Sequence, residues 1–105
     1  MKQYTIMVGL NDKDTKTQEI KTSKAFKIVG DILQDNGLDF TTYEARGGYT
    51  HENGERVQET TIRAELLQFD VSIKDLIIKA SKEIKKALNQ EAIALEYQEI
   101  GGDLI

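Results

Sequence analysis

The chain has 105 residues, 39% of them hydrophobic and 30% charged, with no cysteine, no proline and one histidine. This is the balance of one ordinary globular domain, spanning 1–105, and it excludes a disordered chain, a disulfide scaffold, a thiolate metal site and a cysteine nucleophile. The net charge of −4 is uneven: +1 over residues 1–37, −4 over 38–70, +3 over 71–90 and −4 over 91–105. A nucleic-acid binder usually carries an overall basic balance, so direct contact with nucleic acid is not expected. No apolar run approaches the roughly 20 residues that span a bilayer. The start MKQYTIMVGLNDKD lacks a signal-peptide core, so the expected setting is cytoplasmic.

QYTIMVGL (3–10) alternates, placing Tyr4, Ile6, Val8 and Leu10 on one face, which predicts a strand. Residues 11–22 are polar and read as a loop. Asp12-Lys-Asp14 begins like a calcium loop, but Thr17 stands where the turn needs Gly and Ser23 where a bidentate Glu should close it. Ser23 then offers a cap for a helix running through Asn36, with Ala25, Phe26, Ile28, Val29, Ile32 and Leu33 on its apolar side. Asn36-Gly37 is a stop signal.

LDFTTYEARGG (38–48) reads as a strand, and Gly47-Gly48 as a kink that lets a hairpin arm bend away. Asn53-Gly54 suits a type I′ turn, and ERVQETTIRAELLQF (55–69) is the returning strand. Ser72 starts a capping-box-like pattern with Asp75, opening a second helix with Ile73, Leu76, Ile77, Ala80, Ile84, Ala87 and Leu88 on one face. EAIALEYQEI (91–100) is the last strand. The order β-α-β-β-α-β predicts an α+β ferredoxin-like fold: a four-stranded antiparallel sheet, two helices on one face, and a projecting hairpin.

YEARGGY, a reversal, and TTIRAELLQFDVSIKDLIIKASKEIKK resemble the layout of the PII and CutA-like families over roughly residues 38–99. The resemblance implies a trimer that binds nucleotides or metals in clefts between subunits. Its loop, Gly47 to Arg56, is shorter than a PII loop. Small, acidic, cysteine-free α/β chains of this size also resemble proteins of phages and mobile elements, including anti-CRISPR inhibitors.

Chemistry-bearing residues are sparse. A single His, with no second His and no Cys, builds no usual zinc site. Gly47-Gly48 precedes no helix and so is no dinucleotide loop. Glu59, Glu65, Glu96 and Glu99 read as the polar face of the sheet rather than as a hydrolytic pair. No catalytic, cofactor-binding or metal-binding residue is assigned. The arm carries Tyr49, His51, Glu52, Glu55, Arg56 and Glu59, a mixed surface suited to a protein partner. The expectation is a non-enzymatic binding module, most concretely an acidic phage or mobile-element inhibitor of a host nucleic-acid enzyme. The alternative is a PII/CutA-like module binding a small ligand or metal between subunits. A homo-oligomer is expected in either case, because the sheet's second face mixes Leu67 with charges.

Overall fold

The computed structural model describes residues 1–105. Its elements are β1 (Lys2–Gly9), α1 (Thr22–Asp35), β2 (Thr41–Thr50), β3 (Arg56–Gln68), α2 (Lys74–Ala87) and β4 (Ala94–Glu99). The strands lie in the order β2-β3-β1-β4, every neighbouring pair antiparallel. The fold is the expected ferredoxin-like α+β arrangement.

Alternation decides which face carries the core. Tyr4, Ile6, Val8 and Leu10 share a face with Ile62, Ala64 and Leu66, and all seven are buried against the helices. Ala25, Val29 and Leu33 come down from α1, and Ile77, Ala80 and Ile84 from α2, each fully buried. Removing an Ile or Leu side chain from water stabilises the fold by roughly 1.5–3 kcal/mol. No helix is long and apolar enough to cross a membrane.

Both helices end in the same way. Gly37 takes φ 72°, its N–H donates to the Gln34 carbonyl (2.9 Å), and the Leu38 N–H donates to the Leu33 carbonyl (3.0 Å). After α2, Asn89 takes φ 48°, and the N–H groups of Asn89 and Gln90 donate to the Lys86 and Lys85 carbonyls (3.3 and 2.9 Å). Each is a double closure by a left-handed residue, leaving few terminal carbonyls orphaned. The first closure moves a boundary. Leu38 is committed to the helix stop and the core, so β2 begins at Thr41 rather than at 38.

Other expectations change as well. Ser23 lies inside α1, whose N-cap is Lys21 without a side-chain bond. Ser72 does not cap α2 either. The Ile73 N–H is taken instead by Gln68 Oε1 (3.1 Å), reaching over from the end of β3. The last strand starts at Ala94, not 91, because Gln90 is bound into the α2 stop. Gly47-Gly48 makes no kink: Gly47 opposes Glu59 and Gly48 opposes Gln58, one residue to one, with no bulge. Gly47 is there for closeness, since a Cβ would come 2.9 Å from Thr61 Oγ1.

The turn also departs from type I′. Only Gly54 has positive φ (86°), and the His51 N–H donates to the Glu55 carbonyl (2.8 Å) while the Gly54 N–H returns to the His51 carbonyl (2.9 Å). This is a three-residue loop closed by a left-handed glycine, with the Glu55 N–H donating to Asn53 Oδ1 (2.9 Å). Space is open around Gly54, so only its backbone restricts it. Gly54→Val is therefore expected to strain the turn by about 1–3 kcal/mol. Faster amide exchange at residues 50–56 would report it, and unchanged exchange there would refute it.

β3 has 13 residues against 8 in β1, and their pairing stops at Gly9–Thr61. Beyond that point β2 and β3 continue as a two-stranded arm from Arg46–Thr60 to Thr50–Arg56.

Candidate functional site

The helix-free face of the sheet carries a connected set of polar side chains. Arg63 lies at its centre. Its Nε donates to Tyr43 Oη (3.0 Å), its Nη2 to Glu96 Oε1 (3.1 Å), and its Nη1 to Met7 Sδ (3.0 Å). Tyr43 in turn donates its hydroxyl proton to Glu65 Oε1 (2.9 Å). The hydrogen bond to Tyr43 foremost, and the weaker bond and attraction to Glu96, hold the Arg63 guanidinium above its ordinary pKa against the opposing effect of burial. All four strands supply these groups: Tyr43 of β2 and Met7 of β1 both oppose Arg63 of β3, and Ala94 of β4 opposes Met7, which puts Glu96 on the same face. Thr5, on the same face, is only 4% exposed in the single chain.

Of the four sheet carboxylates expected together, three share this face. Glu59, Glu65 and Glu96 do, whereas Glu99 lies on the other side with Lys2 (3.8 Å). The Arg63–Tyr43 centre is absent from the sequence reading. Alternation along β3 places Arg63 and Glu65 on one face, but only the register with β2 brings Tyr43 beside them.

The arm residues separate into two groups. His51, Glu52 and Glu55 sit at the loop beside Tyr49, whose ring meets His51 edge-on at 5.2 Å. They border an open cleft of about 530 Å³ that also includes Lys16. Arg56 is exposed at the start of β3. Glu59 is different. It is half-buried at the arm's base, Oε2 accepts the Asn11 N–H (3.0 Å), and its carboxylate rests over Gly9. A Cβ on Gly9 would push that carboxylate out of its seat. Glu59 and Tyr49 line a second cleft, about 260 Å³, with Asn11, Lys16 and Gln90. Nowhere do three His, Cys, Asp or Glu side chains converge as metal donors.

The loop bordering both clefts is held by the residues that follow α2. Asn89 Nδ2 donates to Asp12 Oδ2 and Asp14 Oδ2 (2.9 Å each), and Gln90 Nε2 donates to the Asn11 carbonyl (3.0 Å). Asp12 also accepts the N–H groups of Asp14 and Thr15. These bonds, the one from Asn89 foremost, lower the Asp12 pKa from 3.8. A lowered carboxylate contributes stability above its ordinary pKa and loses it as pH falls through the folded value. The loop is therefore expected to hold at pH 5 and loosen below 3.8. Asn89→Gly keeps the left-handed backbone but removes the donor, so a carbonyl-carbon titration should show the Asp12 midpoint rising. An unmoved midpoint would contradict the assignment.

No protein-family model matches the chain, and no curated protein matches it in sequence. Solved structures do match. A phage SAM lyase in complex with S-methyl-5′-thioadenosine superposes with a TM-score of 0.73 at 25% identity, over 93% of this chain and 80% of that one. CutA from Pyrococcus horikoshii gives 0.59 at 16% identity, covering 99% and 88%. The B. subtilis GlnK–ATP complex gives 0.55 at 12% identity, covering 92% and 82%. The PII/CutA-like resemblance of fold holds. The expectation of a non-enzymatic module does not, because the lyase is an enzyme and matches at higher identity over nearly the whole chain.

Proposed function

We propose that this chain is an enzyme that cleaves S-adenosylmethionine and works as a homo-oligomer. The likeness to the phage SAM lyase, 25% identical over 93% of the chain, carries this reading. S-Methyl-5′-thioadenosine is what remains of S-adenosylmethionine once its four-carbon amino-acid arm has gone. The Cγ–S bond must break, and sulfur keeps the electron pair, passing from sulfonium to neutral thioether. As it leaves, an oxygen of the substrate's own carboxylate bonds to Cγ and closes a five-membered lactone. Atoms and charge balance without water, oxidant or proton transfer.

Such a reaction asks for no protein nucleophile and no base, which is why their absence from the sequence does not argue against catalysis. It asks for orientation and dryness. Two opposite charges of one molecule cancel in the transition state, and a site drier than water favours that cancellation. In this reading the cleft at the arm's base binds the substrate. Glu59, fixed by Asn11 and seated on Gly9, pairs with the substrate ammonium and so turns the carboxylate toward Cγ. Tyr49 offers its ring to the adenine. A second copy laid on the helix-free face would exclude water from the Arg63 centre, and the exposed arm tip, with His51, Glu52, Glu55 and Arg56, is the natural contact for it.

The test is direct. Purified protein incubated with S-adenosylmethionine should form S-methyl-5′-thioadenosine and the lactone in equal amounts, measured by mass spectrometry. A rate no higher than that of protein-free buffer would overturn the reading.

A further inference from the structure

β4 is an outermost strand of the sheet, so one backbone edge of Ala94–Glu99 has no neighbour. Between that edge and α2 runs a groove of about 270 Å³, floored by Ile78, Ile93 and Leu95 and flanked by Lys82 and Lys85. Ser81 also lines it, and its hydroxyl is buried without any hydrogen-bond partner. The groove thus offers an apolar floor, an unpaired strand edge and two cations. It fits an extended, acidic-apolar peptide added as a further strand.

This chain contains such a peptide. After β4, Gly101-Gly102-Asp103-Leu104-Ile105 has no regular structure, and Leu104 and Ile105 are 85% and 119% exposed. Asp103 supplies the anion and the two apolar residues supply the floor's complement. The tail cannot serve its own groove. Gly102 packs against Met1, where a Cβ would come 2.5 Å from Met1 Cε. From there residues 103–105 can extend no further than about 10 Å. The strand separating Ile100 from Ile93 is about 23 Å long, at roughly 3.3 Å per residue.

We infer that residues 103–105 dock into the α2–β4 groove of a second copy, pairing Asp103 with Lys82 or Lys85 and adding a strand to the β4 edge. The inference does not depend on the lyase reading, since neither Ser81 nor the tail belongs to the proposed substrate cleft.

A photoreactive benzoylphenylalanine at position 104 of the full-length chain tests it, mixed with an isotope-labelled wild-type copy and irradiated. Cross-linked peptides from 78–85 or 92–95 of the labelled copy are expected. Lys82→Glu with Lys85→Glu in the labelled copy should cut their yield about fivefold, the scale of an exposed ion pair. A circular dichroism melt of that variant separates lost docking from lost folding, because an unfolded variant is replaced by the single substitution Lys85→Gln. Links confined to the photoreactive chain itself, links to other segments, or no links would each overturn the inference.

Discussion

Glu59→Gln is expected to lower kcat/KM for S-adenosylmethionine about 100-fold while leaving the melting temperature nearly unchanged. The amide keeps an oxygen for the Asn11 N–H, so the side chain stays in place over Gly9. What disappears is the charge that would face the substrate ammonium. A hydrogen bond to a charged group contributes roughly 1.5–3 kcal/mol, and each 1.36 kcal/mol is tenfold in rate. Steady-state kinetics beside a thermal melt distinguish the roles: a parallel fall in activity and stability would make Glu59 a structural residue. Full activity in the glutamine variant would remove the arm-base cleft from the reaction and leave Glu65 as the next carboxylate to test.

The second large effect belongs to the core. Ile62 is fully buried on β3, between β2 and β1 and beneath the helices. Ile62→Ala is expected to cost about 2–5 kcal/mol, through lost burial and the cavity left behind. For a domain of this size each kcal/mol moves the melting temperature by roughly 4–8 °C. Urea unfolding should show a large drop in midpoint with an unchanged slope. A loss under ~1 kcal/mol would mean that Ile62 is not in the packed interior.

The contrast between these two residues shows what could be read from the chain. Ile62 was legible because period-two alternation carries its own geometry: once β3 is a strand, Ile62, Ala64 and Leu66 must share a face. The helices were legible for the same reason, at their own period. Glu59 appeared among the arm residues, yet its seat over Gly9 depends on a pairing between segments about fifty residues apart. The Arg63 centre was hidden for that reason too, since all four strands meet there and only their register assembles it. The Ser72 cap failed because Gln68, at the end of the preceding strand, takes the Ile73 N–H instead. The proposed lyase chemistry leaves no mark in the sequence, because it takes its nucleophile from the substrate and needs no nucleophile–base pattern.

The arm has a consequence for how this chain can vary. From Arg46–Thr60 outward to Thr50–Arg56, its ladder is formed by two strands alone. Adding or deleting one residue in either strand would turn every later side chain to the opposite face. Adding or deleting two in each strand would preserve all facings and leave the pairing of β1 untouched. Natural variants of this chain should therefore differ in arm length by matched steps of two residues per strand, with Gly9 and Glu59 fixed below and the tip free to change its reach.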